Sequence, residues 1–402
     1  MSETTPENET RTADLLVRLA RALHVYGLPS HRLEEVIDSL ARDLDCPAEI
    51  LVTPTAIVCS VEGETRLERI DEGETQLERL GDLHDVASAV RSGEITVDEA
   101  SRRVAEIEQQ PERYGVLATV AAFGGTSASA AFFFGGGWRE AVTAGLIGLV
   151  IGAMAIVSGS KTRIARLLPT ASAFFAVVLA HFSATQLEPS LPLLSTLAGL
   201  IVLIPGLRLT IAMNELAHNH LVSGTARLTG ASTTFLQLGF GAAIGWHVAP
   251  QWFGAVAEAN PIAMPDWVTW LTMPVIALTF VVLFRAAPRD YFAILLGAIA
   301  SYAGARYGSE ALGPEIGMAF GAWGLGTVST ALARIRKRPT AVVLVPGLLL
   351  LVPGALGIRT LQALVANDVT LGVETFFSMV MIAIALVTGL FLANLTIRPR
   401  AL

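Results

Sequence analysis

The sequence predicts a polytopic α-helical membrane protein: ten transmembrane helices in two inverted five-helix repeats, preceded by a cytoplasmic α+β domain. Three observations predict it. Of 402 residues, 52% are hydrophobic and only 16% charged, against roughly 25% charged in a soluble globular chain. The charge is unevenly spread: residues 1–113 hold 12 arginines and 25 carboxylates, net −13, while residues 114–402 hold 16 Lys/Arg and 10 carboxylates, net +6. Two long apolar runs, LPLLSTLAGLIVLIPGLRLTIAMNELA and AVVLVPGLLLLVPGALGIRTLQALVA, carry Pro-Gly pairs in mid-run. Proline removes a helical hydrogen bond and glycine loosens the backbone beside it, so each run reads as two half-helices.

Four segments follow. Residues 1–11 are poor in apolar side chains and are expected to be disordered. They show no basic and apolar leader, so the first transmembrane helix is expected to direct insertion. Residues 12–113 form the soluble domain. In it, Leu15, Leu16, Leu19 and Leu23 share one helix face ended by Gly27, and Ser30 offers an N-cap to a second helix. EILVTP and TAIVCSVE read as strands, with ETRLERID and ETQLERL as further strands; residues 82–92 and 96–110 read as helices, the second entered through Thr96-x-x-Glu99. Cys46 and Cys59 fit small buried residues and supply no disulfide framework or zinc spacing.

Residues 114–248 are the first transmembrane repeat; residues 249–402 are the second, with an outer loop and a C-terminal tail. Ten apolar segments lie between 115 and 395, at about 20 residues per span plus short loops. With the N-terminus inside, thirteen basic residues fall in inward loops and the tail and three (Arg139, Arg306, Arg359) on the outer side. This bias places both termini and the acidic domain in the cytoplasm, and the chain as a multi-pass protein of the cell (inner) membrane. A shift of 148 residues lays Pro205-Gly206 on Pro353-Gly354, Asn219 on Asn367, Gly224 on Gly372 and Gly241 on Gly389. A five-span unit has an odd number of crossings, so its second copy enters from the opposite side, as in several secondary transporters.

Half-helix N-termini expose unpaired N–H groups and partial positive charge, which suit a substrate carboxylate. Pro205, Gly206, Pro353 and Gly354 are therefore candidate substrate-binding positions, joined by Asn214 and by Arg359, whose planar fork suits a carboxylate. Ionisable groups within spans are costly and usually functional, so Glu215, Glu374 and His181 are the candidate proton-coupling residues. Each also has a plainer role: interfacial carboxylates for Glu215 and Glu374, a helix-joining hydrogen bond for His181, an inter-repeat ion pair for Arg359. His218-Asn219-His220 is too short a motif for a metal, and Arg334 to Arg338 reads as a cytoplasmic anchor. His31 and Glu34-Glu35 share a helix of the soluble domain, where no nucleophile and base can be paired. That domain is expected to regulate or gate.

The stretches RLARALHVYGLPSHRLEEVIDSLARDL, EILVTPTAIVCSVEGETRLERI, LIPGLRLTIAMNELAHNHLVSGTARL and RPTAVVLVPGLLLLVPGALGIRTLQALVANDVTLG together resemble the threonine/serine exporter family over about residues 12–395. The resemblance implies ten transmembrane helices behind a cytoplasmic domain and proton-driven export of small amino acids; relatives split into two chains are associated with dicarboxylate efflux. Where the family usually shows Arg-Asp and then Gly-Asp, this chain has Asn214-Glu215 and Asn219-His220, whereas Arg359 matches. These departures bear on the substrate more than on export. The expected function is a secondary transporter exporting threonine/serine-like amino acids with proton influx. The alternatives are a dicarboxylate (succinate-like) exporter and a membrane-anchored hydrolase acting through the soluble domain. The expected partners are the small amino-acid substrate, protons and membrane lipid, with no nucleic acid, cofactor or metal; a homodimer is compatible.

Overall fold

The computed structural model describes residues 6–61, 64–70, 73–159, 163–187, 189–256, 264–352, 356, 360, 363 and 368–397. The chain is mostly helical. Helix α1 (Pro6–Val25) and α2 (Ser30–Asp43) lead into an antiparallel sheet of β1 (Ala48–Thr53), β2 (Ala56–Val61) and β3 (Glu64–Arg69), ordered β1-β2-β3. Helices α3 (Leu77–Arg91) and α4 (Val97–Gln109) close this first part. α1 begins at Pro6 rather than Thr12, proline being suited to a first helical position, so the stretch expected to be disordered is partly helical. ETQLERL is the entry to α3 rather than a fourth strand: Leu77, Leu80 and Leu83 recur at helical spacing and are buried. On the sheet, period-two alternation sends Ile57, Cys59 and Val61 into the core and leaves Leu51 and Leu67 outside. Cys46 and Cys59 are both buried and unbridged.

Beyond residue 113 the helices are α5 (Val116–Phe133), α6 (Trp138–Ser158), α7 (Leu168–Phe182), α8 (Pro192–Gly199), α9 (Gly206–Ala217) and α10 (Leu221–Phe253). They continue as α11 (Asp266–Leu283), α12 (Tyr291–Leu312), α13 (Pro314–Arg336), α14 (Ala341–Leu351) and α15 (Val369–Thr396). Among the described residues six helical stretches, Val116–Phe133, Trp138–Ser158, Ala165–Leu187, Asp266–Leu283, Pro314–Arg336 and Val369–Thr396, are long and apolar enough to cross a membrane. α10 is more polar, yet its Thr225, Thr229, Ser232, Thr233 and Thr234 hydroxyls each donate to a carbonyl one turn back. That internal bonding lowers the cost of placing hydroxyls in an apolar setting.

The run with one Pro-Gly is broken at it. α8 stops at Gly199, residues 200–205 turn, and α9 starts at Gly206. The Gly199 carbonyl, left without its helical donor, accepts from Ser127 Oγ of α5 at 3.1 Å. The run with two Pro-Gly pairs behaves differently. Pro346-Gly347 stays inside α14, and Gly347 lets Leu325 approach so closely that an added Cβ would lie 2.3 Å from its Cδ1. α14 ends at Leu351 and Val352 is extended; Pro353 and Gly354 lie outside the described residues.

Helix order and packing recur along the chain. α10 and α15 begin 148 residues apart, and α8 and α14 begin 149 apart. α7 packs on α10 as α13 does on α15, and α6 packs on α8 as α12 does on α14. The close approaches recur too: a Cβ on Gly241 would lie 2.0 Å from Thr170 O, and one on Gly389, 148 residues later, 2.2 Å from Ala319 O. α5 and α11 cross each other, joined by Thr126 Oγ1 donating to Thr279 Oγ1 at 2.8 Å.

Candidate functional site

The described residues between 6 and 109 pack against the helical bundle. One core runs through both: Leu15, Leu33, Ile57 and Leu80 belong to the same buried cluster as Phe280, Ile294 and Val345. Two seams hold this contact. In the first, α3 lies against the turns of the second half. Leu77 and Glu78 donate their backbone N–H groups to the carbonyls of Phe284 and Arg285 at 2.9 and 3.1 Å, so the free N–H groups of one helix meet the free carbonyls of another. Around them Arg285 pairs with Glu74 and Glu112, Arg289 with Asp82, and Arg338 with Asp82 and Asp85. The basic turns thus meet the acidic domain.

The second seam joins α2 to α9 and α10 and is more deeply buried. Glu215 is fully buried. Its Oε1 accepts the Ser30 backbone N–H at 2.9 Å, and its Oε2 accepts from Ser223 Oγ at 2.7 Å and pairs with Arg227 Nε at 3.2 Å. Ser30 Oγ in turn donates to Ser223 Oγ at 2.7 Å. Ser30 is therefore the first residue of α2 rather than its cap, and a carboxylate 185 residues away takes its N–H. A negative group at a helix N-terminus is also favoured by the helix dipole.

Beside Glu215 three imidazoles gather. His31 of α2 stacks on His218 with ring centroids 4.7 Å apart and planes 16° from parallel, and lies 6.1 Å from His220. The Asn214 amide donates to His31 Nε2 at 3.2 Å, which puts the ring hydrogen on Nδ1, a buried atom with no hydrogen-bond partner among the described residues. Burial first, then the neighbouring His218, Arg32, His220 and Arg227, pushes His31 down from the ordinary 6.5 to about 3. His220 Nδ1 lies 3.3 Å from Glu34 Oε2, while Glu34 Oε1 accepts the Val52 N–H, and burial pushes the Glu34 carboxyl up. Stacked ring faces do not converge nitrogens on one ion, and no metal-binding group is found among the described residues.

A cavity of about 710 Å³ opens between these parts. α2 and α3 form its outer wall. One face of α9 (Leu207, Thr210, Asn214, His218) forms another wall, and α13, α14 and α15 supply Ser329, Thr330, Leu348 and Asn394. It reaches Leu207 and Leu348, each close in sequence to a helix end, and there the two ends touch. A Cβ on Gly206 would lie only 1.7 Å from Val352 Cγ1.

The structure brings only some of the expected residues together. Pro205 and Gly206 are buried at the start of α9, and Asn214 and Glu215 stand on its two neighbouring faces. His181 lies elsewhere, near the C-terminal end of α7, with Nε2 2.8 Å from the Gly254 carbonyl that follows α10. Glu374 is exposed on α15 and makes no ion pair with a described residue. Arg359, like Pro353 and Gly354, lies outside the described residues. Sequence reasoning missed Ser30, Ser223 and Arg227 as partners of Glu215, and missed His31 as part of a site. The one signal available was the histidine pair at 218 and 220 beside an ionisable residue.

The apolar helices, the run broken at 200–205 and the buried charge beside the cavity describe a helical membrane protein. The threonine/serine exporter family matches residues 14–249, and a further family model, described as Threonine/Serine exporter, ThrE, matches residues 269–396. The chain belongs to this family. An uncharacterised protein of Schizosaccharomyces pombe is 26% identical over 96% of this chain and 55% of its own length. Pheromone-regulated membrane protein 10 of Eremothecium gossypii is 24% identical over 96% and 56%, and that of Saccharomyces cerevisiae 23% over 96% and 54%. The chain spans about half the length of these curated relatives. No solved structure matches it.

Proposed function

We propose that this chain is a secondary active transporter that exports small polar amino acids of the threonine/serine type, coupled to proton influx. In this reading it is built as two inverted five-span repeats behind a cytoplasmic domain. The observation that carries it is the meeting of Gly206 with Val352, close in sequence to Leu207 and Leu348 of the chamber wall. Irregular backbone at membrane depth is tolerated where it is enclosed by protein or lines a cavity. Two half-spans ending against each other beside a polar-walled space give a substrate a place to be held and the two halves a place to hinge.

The repeated helix order and the matched glycines support the repeat. Orientation is supported from two sides. The acidic domain lies on the basic turns, and exposed Trp138, Trp252 and Trp267 stand at the start of α6, the end of α10 and the start of α11. In the ten-span reading all three share the outer interface, where tryptophan is favoured. Glu215 serves here as the anchor of the domain, held by Arg227, rather than as a free proton carrier.

A dicarboxylate substrate is the second reading, and one observation favours it. The chamber wall carries Arg32, Arg91, Arg334, Lys337 and Arg338 against Glu35, Asp85 and Glu94, while the carboxylate on α9 is already paired. Counterflow in proteoliposomes separates the two. Labelled threonine or serine moving with an imposed proton gradient supports the first, and succinate movement weakened by Arg359→Ala supports the second. Movement of neither by folded protein overturns both.

A further inference from the structure

The second seam combines a fixed bond with a group that can change its charge. The fixed bond is Glu215 with Ser30 N–H, Ser223 and Arg227; the variable group is His31, flat against His218. We propose that protonation of His31 unlatches α2 from α9, so that cytoplasmic acidification lifts the domain off the mouth of the chamber. The consequence for transport rests on the exporter reading; the unlatching itself does not.

The surroundings of His31 decide the direction. Arg32 of its own helix, His218 of α9, His220 of the connecting turn and Arg227 of α10 act on it, while the carboxylates about the seam are Glu34 and Glu35, one turn along α2, and Glu215 of α9, which holds the neighbouring Ser30 N–H. These carboxylates do not compensate a new charge, because Glu215 is taken up by Arg227, Glu34 by His220 and the Val52 N–H, and Glu35 by Arg32. A proton on His31 would add a cation to a buried site that already holds Arg227 and borders Arg32, against a second imidazole at stacking distance. The contact given up is a poor one, since Nδ1 is buried without an acceptor among the described residues.

The sign follows from linkage. His31 is held neutral while seated and titrates near its ordinary 6.5 once lifted into water. Seating is therefore fully favoured above about 6.5 and weakens as pH falls from there towards 3. With one proton taken up on opening, the seated-to-lifted ratio falls about tenfold between about pH 7.5 and about pH 5.5.

Hydrogen–deuterium exchange on the full chain in lipid nanodiscs, corrected for intrinsic exchange rates, reads this without any transport. Peptides covering α2 and the facing stretch of α9 should lose about tenfold in protection over that pH step. Peptides from α4, within the domain, should keep theirs. His31→Gln keeps an amide in the seam and His31→Phe keeps a stacked ring; neither takes a proton, and each should abolish the pH step. Unchanged wild-type protection overturns the proposal, as does an equal loss in either variant. If both variants are already open at the higher pH, the wild-type comparison alone decides. A failed counterflow experiment would leave this result untouched, and the reverse holds too.

Discussion

The two halves of the membrane part share packing but not chemistry. α10 and α15 begin 148 residues apart and pack on α7 and α13, with Gly241 and Gly389 at the same kind of close approach to a backbone carbonyl. The polar residues of the second seam do not recur. At the same offset Asn214 becomes Gln362, Glu215 becomes Ala363, His218 becomes Ala366 and Arg227 becomes Thr375. His220 becomes Asp368, which accepts the Leu371 N–H and caps its own helix, whereas His220 reaches across to Glu34. Glycines at helix crossings are held in place by geometry that both halves need. Charged partners are needed only where something docks, and the buried polar seam of α2 falls on the first half alone.

The largest expected effect breaks the asymmetric part. Glu215→Ala leaves Arg227 buried without its carboxylate and strips Ser30 N–H of its acceptor, so a loss of about 3–5 kcal/mol is expected. Equilibrium unfolding of the purified protein measures it; a loss under about 1 kcal/mol would show that the seam bears little of the fold's stability. The symmetric part gives a smaller and paired effect. Gly241→Ala and Gly389→Ala each force a methyl group against a carbonyl, and each should cost about 1–3 kcal/mol. If one is costly and its counterpart neutral, the equivalence of the halves fails.

The smallest effect belongs to the docking of the second half. Arg289 is 56% exposed and lies 3.6 Å from Asp82. An exposed pair of this kind contributes at most about 1 kcal/mol and is screened by salt. Arg289→Ala should therefore change stability by less than about 1 kcal/mol at physiological salt, measured by the same unfolding experiment. A loss as large as that of Glu215→Ala would erase the contrast between the seams.

Membrane character and helical segments were legible in the sequence because they follow from apolar composition and periodicity, which each stretch carries locally. The Pro-Gly break at 205–206 was legible for the same reason. Pro346-Gly347 makes no break, because proline is tolerated within α14 while Gly347 serves a neighbour's approach. ETQLERL misled because two leucines three apart are too few to fix a period by themselves, and burial of Leu77 and Leu80 together with Leu83 marks the helix. Among candidate residues, Asn214 and Glu215 could be singled out by their cost in a membrane setting. Their partners on α2 could not: Ser30 and His31 lie more than 180 residues earlier, on a helix whose own pattern is that of an ordinary amphipathic surface.

The acidic first quarter, the apolar remainder and the family could be read from the chain alone, since these are carried by sums and patterns over neighbouring residues. Tertiary structure alone decided that Glu215 caps a distant helix, that three histidines meet, and that Gly206 rests on Val352. Those are long-range contacts, set by how finished elements pack, and no local preference of the chain encodes them.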